Sequence, residues 1–203
     1  MPHNFDDDLY GVQQAWHAQI DLYIIMAAIV SAILIGVSVH FSRKNNIGDN
    51  KLKAGELIGI ITVVAGLFTG YYQWRMSRYE ASLERLYERI DVSNRRLADV
   101  INYANQDKNP YEHPRLAGLS VFDMWVFAEL DNLEYVLEKY QFGWIKYHHV
   151  YRSLVTLKAR CAADQTFCRR AIESCGISGY QSSTCSVVAR IVKAAEDDAR
   201  NSR

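Results

Sequence analysis

Residues 144–152 read WIKYHHVYR, with two tyrosines, a tryptophan, two histidines, a lysine and an arginine in nine positions. No carboxylate interrupts them. Across residues 144–170 the basic side chains are Lys146, Arg152, Lys158, Arg160, Arg169 and Arg170, against the single acid Asp164. Such a one-sign surface suits an anion. Arginine offers paired donors and keeps its charge at any working pH. Trp144 and His148 add flat rings on which an aromatic ligand could stack. The candidate ligand residues are therefore Trp144, Lys146, His148, His149, Arg152, Arg160, Arg169 and Arg170.

Helical phase divides this patch. At 100° per residue, Tyr147, Val150, Tyr151, Leu154, Leu157 and Cys161 share one side, expected to be core. His149, Arg152, Thr156 and Arg160 fall within roughly 80° of one another on another side. His148 and His149 diverge by about 100°, so they cannot chelate one ion together. No HExxH, GxSxG, P-loop or Gly-rich phosphate motif occurs, and no carboxylate pair stands out from solvated charge. The chemistry on offer is binding, without an enzyme activity, a cofactor or a metal. A basic face toward lipid headgroups, or a merely solvated face, is the competing reading.

Helices must position these residues. Ser120 and Asp123 resemble a capping box opening an apolar-faced helix that Gly143 stops. A second helix is expected from about residue 144 to 162. A third starts at Asp164 as N-cap and ends at Cys175, with Gly176 as cap. A last helix starts at Ser183 or Thr184. Nothing reads as a strand ladder. Cys161, Cys168, Cys175 and Cys185 leave three readings open: free buried thiols, disulfides involving Cys185, or a metal site. On one continuous helix seven residues rise ~10.5 Å, too far for neighbours to pair. Free thiols, hence a cytoplasmic setting, are the expectation.

Further toward the N-terminus the chain becomes apolar. Residues 1–21 form an acidic tail with Asp6, Asp7, Asp8 and Asp21 and no Lys or Arg. LYIIMAAIVSAILIGVSVHF (22–41) and LIGIITVVAGLFTGYYQW (57–74) are each long enough, at ~1.5 Å per residue, to cross a ~30 Å hydrocarbon core. The alternatives are a signal peptide and a buried core helix. Basic residues tie at four between the connecting loop and the exit of the second run, so they give no orientation. Gly66 and Gly70 form a GxxxG that allows close helix packing in lipid. From Met76 the series Met76, Tyr79, Leu83, Leu86, Ile90, Ser93, Leu97, Val100, Ala104 keeps a heptad seam with one polar slip at Ser93. A self-associating stalk is expected, with a locally packed helix as its rival.

The fold expected is all-α. It comprises a two-span transmembrane hairpin (22–74), a coiled-coil-like stalk helix (75–106), a linker (107–118) and a small helical soluble domain (119–203). This layout resembles the membrane effectors of bacterial phage defence, most nearly the membrane effector of type III CRISPR systems. WIKYHHVYRSLVTLKAR is compatible with the cyclic oligonucleotide site that the resemblance implies. It further implies a homo-oligomer in the inner membrane, a cytoplasmic domain binding cyclic tetra-adenylate, and pore opening or membrane disruption in antiviral defence. No double-stranded nucleic acid is expected as partner. The rival readings are a membrane-anchored interaction protein with an extracytoplasmic, disulfide-linked domain, or a small channel without a nucleotide trigger.

Overall fold

The computed structural model describes residues 54–201 apart from 113, 117, 118 and 178, together with isolated helical positions at 24, 27, 31, 35 and 36. Among the described residues five helices and one short hairpin follow one another. They are α1 (Ala54–Asn105), β1 (Pro114–Leu116), β2 (Leu119–Ser120), α2 (Val121–Gln141), α3 (Tyr147–Ala163), α4 (Gln165–Ile177) and α5 (Ser182–Asn201). The chain separates into two compact units whose boundary falls between Arg78 and Tyr79.

The expected two-span hairpin requires correction. Among the described residues no helix is long and apolar enough to cross a membrane. The run at 57–74 belongs to the 52-residue helix α1. There it is diluted by Thr62, Gly66, Thr69 and Gly70, then passes through Tyr71, Tyr72 and Gln73 into Arg75 and Arg78. A Cβ added at Gly66 or Gly70 would meet nothing within 4 Å, so neither glycine accommodates a neighbouring backbone in this chain. The run at 22–41 and the acidic tail lie outside the described residues, apart from the isolated positions named above.

The unit from Tyr79 onward is a helical bundle. Ser120 caps α2: its hydroxyl accepts from the Asp123 amide at 3.0 Å, and Asp123 accepts from the Ser120 amide at 3.2 Å. The reciprocal pair satisfies donors that a helix start leaves open. At the other end Gly143 adopts φ 73°, the amide of Trp144 donates to Lys139 and that of Gly143 donates to Tyr140. This double bond is the Schellman arrangement, and it requires a residue that tolerates the left-handed region. The segment expected as a plain linker holds β1, which pairs antiparallel with β2 just after it, although no strand ladder was expected.

Burial follows the helical period. Phe122, Val126, Leu130, Leu133 and Val136 of α2 are buried, as are Val150, Leu154 and Leu157 of α3, Phe167 and Ala171 of α4, and Val187, Val188 and Ile191 of α5. Tyr151, expected in the core, is 50% exposed. The core stripe of α3 runs through 150, 154, 157 and 161, and Tyr151 is turned about 100° past Val150.

The cysteines depart most from expectation. Cys161 is bonded to Cys168 and Cys175 to Cys185, with Cα separations of 4.9 and 5.5 Å, and no cysteine is free. Helical rise does not keep Cys161 and Cys168 apart, because the helix is not continuous. Asp164 is extended at φ −141°, ψ 104°, where it ends α3 and caps α4, accepting from the Thr166 amide at 2.8 Å. The turn there brings positions seven apart within bridging distance.

Candidate functional site

Three helices of the second unit enclose a groove of about 370 Å³. One wall is the α1 stretch through Leu86, Tyr87, Ile90, Ser93 and Asn94. The opposite wall is α3, through His149, Arg152, Ser153, Thr156, Leu157 and Arg160, and the floor is Glu129, Asn132 and Leu133 of α2.

Polar groups hold α1 against this floor. The Tyr135 hydroxyl donates to the Ser82 carbonyl at 3.1 Å, and Asn132 Nδ2 donates to the Arg89 carbonyl at 3.3 Å. The Arg89 guanidinium lies over the Tyr135 ring, 4.8 Å from its centre. Ser93, only 2% exposed, donates from its hydroxyl to Glu129 Oε1. The same oxygen takes Arg160 at 2.8 Å. Arg160 in turn stacks over Trp125 at 5.0 Å. The polar slip in the heptad is thus the third member of a Ser93–Glu129–Arg160 network. Leu86 and Ser93 of the expected self-associating seam are spent on the chain's own domain.

Two buried polar atoms behind the groove surface, Asn132 Oδ1 and Arg160 Nε, have no partner among the described residues. At the rim, Arg152 is exposed and, among the described residues, has no carboxylate within ion-pair distance. His149 sits beside it. Burial, reinforced by the charges of His148, Arg152 and Lys146, holds its imidazole below the usual histidine range. The groove therefore offers fixed positive charge at its mouth. Such a surface favours binding of an anion.

Of the residues singled out from sequence, His149, Arg152 and Arg160 come together here. His148 stacks on His149 with ring centres 3.9 Å apart, outside the groove lining. Lys146 precedes α3 and reaches over the Tyr79 ring at 5.6 Å. Trp144 stacks on Phe142 and beneath Lys139. Arg169 and Arg170 lie on α4, where Glu173 pairs with both and Asp123 with Arg170. Carboxylates missing from the linear patch arrive from other helices, Glu129 and Asp123 from α2 and Asp198 of α5 at 2.7 Å from Lys158, while Glu173 lies on α4 itself.

Sequence reading missed Glu129, Asn132 and Ser93 as parts of the site. Their signal was present: a polar residue in an apolar heptad, and two polar residues three apart within the apolar stripe of α2. No family model matches the chain, and neither a curated protein nor a solved structure matches it.

Proposed function

We propose that the unit beginning at Tyr79 is a disulfide-stapled helical binding module that takes an anionic ligand into the groove between α1, α2 and α3. One observation carries this reading. Arg152, a cation without a carboxylate partner among the described residues, stands beside His149 at the mouth of the cavity. A cavity of about 370 Å³ falls within the usual range for small-ligand sites, roughly 300–1,000 Å³, at its lower end. Of the effector reading this retains the anionic ligand alone. The bilayer-spanning hairpin is absent from the described helices, and the cysteines are paired.

The two disulfides favour the rival reading in one respect. Paired cysteines persist in oxidising surroundings, so the module belongs in an extracytoplasmic or otherwise oxidising compartment. This supports an interaction protein over a cytosolic nucleotide sensor.

Differential scanning fluorimetry of the full oxidised chain in succinate and in pyrophosphate tests the binding claim. At ligand concentrations about tenfold above Kd, linkage raises stability by about 1.4 kcal/mol, or roughly 3 °C in Tm for a domain of this size. Arg152→Glu abolishes that rise. An equal rise in Arg152→Glu, or none in the parent chain for either anion, overturns the proposal.

A further inference from the structure

The two disulfides stand in different surroundings. Cys161 and Cys168 are 3% and 8% exposed, although a cavity of about 650 Å³ between α3, α4 and α5 reaches them. Cys175 and Cys185 are half-buried, and the segment between them is open to solvent at Gly176, Ile177, Gly179 and Gln181. Ile177 is 86% exposed. A thiolate must reach a disulfide sulfur to displace its partner, so access decides which bond exchanges.

Opening the Cys175–Cys185 bond also leaves the fold held by other means. The segment it closes is fastened to α2 on its own account. The Tyr180 hydroxyl donates to Asp131 Oδ1 at 2.9 Å, and the Gln181 amide donates to Glu134 Oε1 at 2.8 Å. The two sulfurs of the bond are not equivalent. Cys185 is the fourth residue of α5, a 20-residue helix with no acid in its first turn. The positive end of a helix stabilises a thiolate. Cys175 lies in the last turn of α4, where the helix end carries the opposite partial charge. The better-stabilised thiolate leaves faster, so attack at Cys175 with departure of Cys185 is the favoured direction.

We infer that Cys175–Cys185 is a thiol-exchange site for a small thiol, whereas Cys161–Cys168 is a permanent staple. The incoming thiolate bonds to Cys175 Sγ and forms a mixed disulfide. The electron pair of the broken bond goes to Cys185 Sγ, which takes a proton from water. A second thiolate then attacks the sulfur of the bound small thiol. Cys175 leaves and is protonated, and the small thiol departs as its own disulfide. Two electrons and two protons have then entered the protein. None of these steps involves the groove or its ligand.

Peptide mapping by mass spectrometry tests the assignment on the full oxidised chain. The chain is exposed to glutathione, and free thiols are trapped at intervals with N-ethylmaleimide. In native buffer the first product carries glutathione on Cys175 and the trap on Cys185. It forms at least tenfold faster than any product at Cys161 or Cys168. In concentrated urea the two bonds open at similar rates, because the fold no longer shields the first pair. The double variant Cys175→Ser, Cys185→Ser loses the fast reaction and keeps the slow one. The mapping of the parent chain needs no variant, so it stands even if the double variant does not fold. First modification at Cys161 or Cys168, glutathione on Cys185, four thiols appearing together, or the same preference persisting in urea overturns the inference.

Discussion

Arg152, His149 and Arg160 lie on one helix face, and that was legible from phase alone. Their environments differ for reasons that phase does not contain. Arg160 reaches inward to Glu129, Arg152 stays at the mouth, and His149 is pressed between burial and neighbouring cations. A histidine held below its ordinary value resists protonation in the folded state, so its contribution to stability is complete above pH 6.5, the usual histidine value. That contribution declines as pH falls through 6.5 toward the lowered folded value. An anion in the groove acts oppositely, since it favours the imidazolium. The affinity for sulfate, which keeps both charges over this range, therefore rises as pH is lowered from 7.5 to 5.5, and His149→Gln flattens the profile. Calorimetric titrations at four pH values check this; a profile unchanged by His149→Gln removes His149 from the site.

α1 shows how far periodicity reaches. The heptad was read from the sequence, and the helix is there, running through Asn105. Which surface the seam meets was not readable, because a stripe of this width serves a second copy or the chain's own bundle equally well. In the structure Ser93 bonds to Glu129, so this turn of the seam faces the chain's own bundle. Two substitutions test that choice. Ser93→Leu completes the apolar seam and would strengthen a self-associating stalk. In the observed packing it removes a partner of buried Glu129 and lowers stability by about 1–3 kcal/mol. Glu129→Ala leaves Arg160 largely buried without its counter-charge and costs about 3–5 kcal/mol. Denaturant melts of both variants provide the check. A stabilised Ser93→Leu would contradict the local packing. The capping box and the Gly143 stop were legible because both are local. The α3–α4 turn at Asp164 was marked in sequence as a cap, yet its consequence for Cys161 and Cys168 depends on the direction the chain takes there.

At the scale of the molecule, the disulfides fasten α3 to α4 and α4 to α5, so three of the four bundle helices are tied in series. Each closes a short loop, with sequence separations of 7 and 10, and a loop of that size is worth about 2–3 kcal/mol in the chain-entropy account. Protein isolated without reductant and denatured contains no titratable thiol. Reduction lowers Tm by about 10 °C or more, given roughly 4–8 °C per kcal/mol divided over a larger domain. Four free thiols in freshly isolated protein would contradict the oxidised fold. The distribution of charge was the least legible feature of the chain. The basic run acquires Glu129, Asp123 and Asp198 from helices distant in sequence and Glu173 from the next turn of α4, which leaves Arg152, among the described residues, without a carboxylate partner at the groove. Nuclear magnetic resonance of the full chain, observing arginine Nε–H groups during a succinate titration, locates the binding event directly. The account predicts that the Arg152 and Arg160 resonances move along one saturating curve while those of Arg169 and Arg170 stay in place. Movement at Arg169 and Arg170 with Arg152 and Arg160 unmoved would contradict it.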